Sequence, residues 1–343
     1  MNSSTPKVSI GLPVYNAQRY LSEALDSLLS QTFSDFELIV SDNGSTDATG
    51  DICRDYAARD RRIHYVREQT NRGAIWNFNR VAELSHGEYF KWAAYDDLCY
   101  ETFLERCVEV LDRQADVVWC HSLTHHMDAA GNVITAKDDP TIPADEPAHS
   151  LLLTNYGLPK HTRAAAKTHQ RFAGVLLGTT WCSDSYGLVR SASLRKTRML
   201  LPCYGAEKIL MGELSLQGRF AEIPEVLFLE RVHGEASGAL LSANDQRRFI
   251  DPSGTRKFSS TRWQLLKGHW GAVLHAPLSR AERLRCFGVL LRYLFQFRKW
   301  RKILLQTCSG LGIGAETRTK HEIAATSLAA QTTANVGTKV VSR

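Results

Sequence analysis

The chain has 343 residues, 43% of them apolar and 23% charged, which is enough to bury a sizeable core in one large or two small domains. Its net charge of +6 is uneven: Arg256 to Lys302 carries twelve Lys or Arg against the single acid Glu282, so the remainder is mildly acidic. That division suggests a catalytic body attached to something anionic, lipid or nucleic acid, while the polar start and the lack of any run of about eighteen apolar residues predict neither a signal peptide nor a spanning helix.

The first third alternates strand and helix signals, as expected for a parallel sheet covered by helices. Val8 to Leu12 reads as a buried strand that Pro13 should end, and a Val-Tyr-Asn loop follows. Tyr20, Leu21, Ala24, Leu25, Leu28 and Leu29 then recur with helical spacing. Phe36 to Val40 is the next strand, followed by Ser41-Asp42-Asn43-Gly44-Ser45-Thr46-Asp47, in which Ser45 or Thr46 is suited to cap a helix running to about Asp60. Ile63 to Val66 predicts a strand, Ile75 to Leu84 a helix, and Glu88 to Ala94 a strand that delivers Tyr95-Asp96-Asp97 at its C-terminal end. In open α/β sheets ligands bind beyond the carboxyl ends of strands, where Asp42 and the Asp96-Asp97 pair both fall.

Further along, Thr102 to Leu111 predicts a helix, Val117 to Ser122 a strand, and Asp128 to Gly131 a hairpin turn. Lys137 to Pro159, with four prolines, reads as a loop or acceptor-side insertion. Tyr186 to Val189 is a strand, Glu207 to Leu216 a helix, and Phe220 to Ile223 an edge strand stopped by Pro224. Basic helices follow Gly238, and the Thr, Ala and Ser-rich tail after Gly314 lacks periodicity, as disordered segments do. The expected organisation is a catalytic unit over 1–237, with a nucleotide-binding half 1–122 and an acceptor-side half 123–237. A basic helical extension over 238–313 and a disordered tail over 314–343 complete it.

Eight cysteines lie at 53, 99, 107, 120, 182, 203, 286 and 308, none in a Cys-x-x-Cys pair, which points to buried thiols in a reducing cytoplasm. His121, His125 and His126 are spaced for a metal but have no acid or cysteine neighbour in sequence, so they are read as surface or core histidines.

Three segments carry a resemblance. Val8-Ser9-Ile10-Gly11-Leu12-Pro13-Val14-Tyr15-Asn16, Gln31-Thr32-Phe33 and Glu37 to Asp47 look like the opening of family 2 glycosyltransferases, in matching order and spacing over about the first hundred residues. A weaker likeness continues through Glu207 and Arg231-Val232-His233. The resemblance implies a GT-A α/β sandwich around a mostly parallel sheet, here with a helical C-terminal extension. It also implies inverting transfer of a sugar from a nucleotide diphosphate donor to an acceptor hydroxyl.

The resemblance also implies roles. Pro13, Tyr15 and Asn16 would line the nucleotide. Asp42 would accept the imide N–H of uracil, thymine or guanine, a donor that adenine lacks; a turn-forming Asp before Asn-Gly is the other reading. Arg72, in Asn71-Arg72-Gly73, would pair with a phosphate or stack on the base, or be a plain surface arginine. Asp97 would coordinate Mg²⁺ or Mn²⁺ against the diphosphate, with Asp96 on the ribose or sharing the metal. Glu207, where the family more often has Asp, would be the base that takes the acceptor proton, its alternative being a favourable charge in a helix's first turn. His233 would complete the metal site or touch the diphosphate.

A nucleotidyltransferase would need a Gly-rich, basic phosphate loop after the first strand, which Pro13-Val14-Tyr15-Asn16 is not. A noncatalytic sugar-nucleotide sensor or scaffold is the alternative from another class. In the basic segment, Leu284, Phe287, Leu291, Leu294 and Phe295 share one helical face. Residues 256–302 are therefore expected either to meet an anionic membrane surface or to cover the catalytic unit, and no motif points to nucleic acid. The expected partners are a nucleotide-sugar donor and a sugar or lipid-linked acceptor, in the cytoplasm or peripherally at the inner face of the membrane.

Overall fold

The structure is a computed structural model that describes residues 5–134, 163–178, 183–234, 236, 243–254 and 261–295. Strands β1 (Val8–Val14), β2 (Phe36–Asp42), β3 (Ile63–Arg67), β4 (Tyr89–Trp92), β5 (Leu98–Cys99), β6 (Val117–Met127), β7 (Leu188–Arg190) and β8 (Arg219–Arg231) form one sheet in the order β3-β2-β1-β4-β7-β6-β8-β5. The β3, β2, β1 and β4 ladders are parallel, β7 is antiparallel to both its neighbours, β6 and β8 are parallel, and β5 runs against β8.

Helices α1 (Leu21–Leu29), α2 (Thr49–Arg59), α3 (Ala74–Glu83) and α4 (Phe103–Arg113) follow the first strands; α5 (Thr168–Gly178), α6 (Ser191–Leu194) and α7 (Ala206–Ser215) complete the body. The apolar spacing read in the sequence is the packing: α1 buries Leu21, Ala24, Leu25 and Leu28, and α4 buries Phe103, Leu104, Cys107, Val108 and Leu111. Each fully buried leucine stabilises the fold by about 2 kcal/mol. A second core joins α3 and α7 to the other face of the sheet through Val81, Phe90, Trp92, Trp119, Ile209 and Leu210.

Three expectations change. Pro13 does not end its strand: β1 continues to Val14 beside β2, with Pro13 opposite Ser41. The ladder with β4 stops at Gly11, so beyond it no neighbour on that side requires an N–H. Pro224 does not end β8 either, because a register shift between Ser122 and Leu123 passes over Pro224 and Glu225 and pairing resumes at Val226. Phe220 to Ile223 does lie at the sheet edge as expected, since β5 covers β8 only at Phe228 and Leu229. At the start of α2 neither Ser45 nor Thr46 caps; the Asp47 carboxylate accepts from the Thr49 N–H at 3.0 Å.

The Asp128 turn forms as expected, closed by Asp128 N–H to Asn132 O at 2.9 Å. Among the described cysteines, 53, 99, 107, 120, 203 and 286 are free and buried. The Lys137 to Pro159 loop and the tail over 314–343 lie outside the described residues.

The extension contributes α8 (Ala243–Ile250), α9 (Thr261–His275) and α10 (Arg280–Leu294). Ser279 caps α10, its hydroxyl accepting from Glu282 N–H. The apolar face predicted on α10 is not the one that packs. Cys286, Val289, Leu290 and Tyr293 are buried with Phe172 of α5 and Val273 of α9, while Leu284, Leu291, Leu294 and Phe295 are exposed. No described helix is long and apolar enough to cross a membrane.

Candidate active site

The carboxyl ends of β1, β2 and β4 bring the three N-terminal motifs together. Asp42 ends β2 fully buried: Oδ1 accepts from Ser45 N–H at 2.8 Å, Oδ2 accepts from Tyr65 O–H at 3.0 Å, and Arg67 Nε lies 3.4 Å from Oδ2. In exchange, burial and the Asp42 charge push the Tyr65 phenol well above its ordinary value. Asn16, one of two non-glycine residues at positive φ among the described residues, accepts from Thr46 N–H at 2.9 Å and donates its own N–H to Ser45 Oγ at 3.0 Å. Pro13 is buried in β1, and Tyr15 stands exposed beside Asn16.

Asn43, which sequence reasoning passed over, organises the second wall. Its side chain donates to Asn71 Oδ1 at 2.9 Å and accepts from Arg72 N–H at 3.0 Å, fixing the Asn71-Arg72-Gly73 turn over the end of β2. Gly73, at φ 90, is required there: a Cβ would collide with the Ile250 carbonyl. Arg72 stacks its guanidinium 4.0 Å from the Trp76 ring and leaves about half its side chain exposed.

The Asp96-Asp97 pair meets the Arg-x-His element because β5 pairs with β8 in the register Leu98 to Leu229. Arg231 donates its backbone N–H to Asp97 Oδ1 and its Nε–H to the Asp96 carbonyl, both at 2.9 Å. Its Nη2 reaches Glu23 of α1 at 2.6 Å, and its guanidinium lies 4.5 Å from the Tyr20 ring. His233 Nε2 stands 2.9 Å from Asp96 Oδ2, and Nδ1, buried, finds no hydrogen-bond partner among the described residues. Burial, then the Asp96 and Glu230 charges, hold the Asp97 carboxyl well above the usual carboxylate range.

Glu207 stands in the first turn of α7, which opens after Gly205 at φ 81. Partly buried Tyr186 feels charges from both groups: its phenol is pushed well up by burial, then by Asp97, Asp96, Glu230 and Glu207 in that order. Below them Lys91 of β4 is fully buried, donating to Tyr186 O at 2.5 Å and Trp92 O at 3.2 Å, with its ammonium 4.5 Å from the Phe103 ring. The cue for Lys91 was a lone charge inside an apolar strand. Nothing in the sequence pointed to Glu23.

His121 and His126 are core histidines with acidic neighbours from distant segments: Asp184 lies 3.4 Å from one and Glu230 3.9 Å from the other. Among the described residues, no group of three His, Cys, Asp or Glu side chains is arranged to hold a metal. The pair Asp96 and His233 does fit a hard divalent cation: a carboxylate and an imidazole stand side by side, leaving further positions for oxygens of a ligand.

This sheet, with its acidic pair and Arg-x-His element beyond the strand ends, has the GT-A fold. Solved structures of that fold align with it: S. aureus TarS 1-349 in complex with UDP at 17% identity and TM-score 0.55, over 84% of this chain and 70% of that one. Mannosyltransferase PcManGT from Pyrobaculum calidifontis, in complex with GDP-Man and Mn²⁺, aligns at 15% identity and TM-score 0.56, over 99% and 82%. Residues 9–146 match Glycosyl transferase family 2.

Curated relatives agree over the same part. An uncharacterized glycosyltransferase of Rickettsia typhi is 36% identical over 122 residues, 35% of this chain and 37% of that protein. Glycosyltransferase GlyA of Streptococcus pneumoniae is 35% identical over 112 residues, 32% and 16% of the two chains. EpsJ of Bacillus subtilis, an uncharacterized glycosyltransferase, is 37% identical over 116 residues, 34% and 33%. The matches thus span about a third or less of these relatives' lengths.

Proposed function

We propose that the protein is an inverting glycosyltransferase that moves a sugar from a nucleoside diphosphate, UDP first, to a hydroxyl of a sugar or lipid-linked acceptor in surface polysaccharide, lipopolysaccharide or glycolipid assembly. The observation that carries this reading is the meeting of Asp96 with His233 and of Asp97 with Arg231, beyond the strand ends that also hold Asp42.

In this reading the nucleotide lies across the ends of β1 and β2. The base takes the place of Arg67, whose Nε lies 3.4 Å from Asp42 Oδ2. Arg72, free to swing from Trp76, meets the phosphates or the base. A bound Mg²⁺ or Mn²⁺ would neutralise charge gathering on the diphosphate. Asp96 and His233 would hold it, with Asp97 behind them on the Arg231 N–H. The acceptor oxygen attacks the anomeric carbon and its proton passes to Glu207. The bond to the diphosphate breaks on the opposite face, and the leaving group departs with the electron pair, inverting the anomeric configuration.

The protein would work at the cytoplasmic side, with its basic extension, residues 256–302, toward an anionic membrane surface. A screen of sugar nucleotides with and without acceptor, read as nucleoside diphosphate release, tests the activity. Release from at least one donor that rises with acceptor is expected; binding without any turnover would favour a sensor.

A further inference from the structure

The α9–α10 hairpin leaves uncovered what a helical cover would hide. Trp263, Trp270 and Leu274 on α9, and Leu284, Leu291 and Phe295 at α10, are 47 to 72% exposed. Trp270 meets Phe287 across the hairpin at 4.7 Å between ring centroids. Trp263, Trp270 and Leu274 recur at i, i+7 and i+11 on one face of α9, Leu284, Leu291 and Phe295 do the same on α10, and the Trp270–Phe287 contact joins the two helices beside these faces. The exposed side chains therefore make one strip, about 16 Å long at 1.5 Å of rise per residue. The inner faces of both helices are spent on the core, with Leu266, Val273, Val289 and Leu290 buried.

We propose that this strip inserts into the interfacial region of an anionic phospholipid bilayer. The proposal deepens the reading of residues 256–302 as facing a membrane surface and does not depend on the transfer chemistry. Charge selects the occupant. Lys267, Arg280, Arg285 and Arg292 are exposed around the strip, and Glu282, the only acid between 256 and 302, is already held by His169 and Arg285. A second copy docked on the same face would press two cationic rims together. The chain beyond α10 adds Arg298, Lys299, Arg301 and Lys302, again like charge. Anionic headgroups instead meet the cations while tryptophan and leucine side chains leave water beneath them.

The test uses the full chain with phosphatidylcholine vesicles, with and without phosphatidylglycerol. Binding to the anionic vesicles, weakening with salt, and quenching of tryptophan fluorescence by brominated lipid are expected. Leu284→Glu with Leu291→Glu should lower the partition by about tenfold or more, with thermal unfolding unchanged because both side chains are exposed. Undiminished binding by that double variant overturns the strip. If Lys267→Gln with Arg292→Gln then abolishes binding, the basic-surface reading survives without it. No binding by the unaltered chain overturns both, as does a dimer in solution that Leu284→Glu with Leu291→Glu dissociates.

Discussion

His233 Nε2 and Asp96 Oδ2 stand 2.9 Å apart although 137 residues separate them, brought together by the Leu98 to Leu229 register of β5 on β8. With Asp97 turned to the Arg231 N–H, the proposed scheme leaves Asp96 and His233 to hold a metal against the diphosphate. Asp96→Asn and His233→Ala should each cut turnover by about a hundredfold or more and raise the metal concentration needed. Chelation should abolish the reaction of the unaltered protein. Full turnover in excess EDTA, followed by nucleoside diphosphate release, would remove the metal from the scheme.

Glu207→Gln is nearly isosteric and should retain donor affinity while losing most of the turnover, about a hundredfold or more. Calorimetry with the nucleotide separates binding from rate. The unaltered protein's product, read by NMR, should have the anomeric configuration opposite to the donor's. Near-normal turnover by Glu207→Gln would move the base elsewhere, and a retained configuration would defeat the single displacement.

The buried Asp42 carboxylate gives a sharper expectation for base choice than the motif does. UDP should bind measurably, and ADP and CDP much more weakly, because adenine and cytosine lack the imide N–H that would take Arg67's place on Oδ2. Asp42→Asn should erase that preference. Equal affinity for UDP and ADP would leave Asp42 as a turn residue held by Ser45 and Tyr65.

His269 of α9 packs against Gly212 of α7, and burial, then the Lys208 and Arg198 charges, hold its imidazole down to about 3 from 6.5. The unfolded chain takes up the proton first, so this contribution to stability is complete above pH 6.5 and declines as pH falls toward 3. Urea unfolding at pH 7.5 and pH 5 should show a smaller acid loss for His269→Gln than for the unaltered protein. Equal losses would mean that other groups govern the acid limb.

The N-terminal half was legible because its information is local. Periodicity marks α1 to α4, and Asp42 and Asp96-Asp97 stand at strand ends that the chain order already predicts. What could not be read depends on distant pairing. Arg231 as a brace between Glu23, Asp97 and Tyr20 exists only once β8 lies beside β5, and the bulge at Pro224 that permits this looks in sequence like a stop. Asp42 was visible as chemistry, but its enclosure by Tyr65 and Arg67 was not. On α10 the spacing identified one apolar face correctly and concealed that a second was doing the packing.

Gly73 has a consequence for how this protein can be divided. The turn that carries Arg72 rests against the Ile250 carbonyl, and further along Arg198 bonds both Glu213 of α7 and the Gly268 carbonyl of α9. Helices α8 and α9 thus buttress both the Asn71-Arg72-Gly73 turn and α7, closer to a keel than to a tether. Swapping extensions between related enzymes to redirect them would carry a hidden demand, since a replacement helix must leave room at Gly73 and accept Arg198 before it brings any new surface of its own.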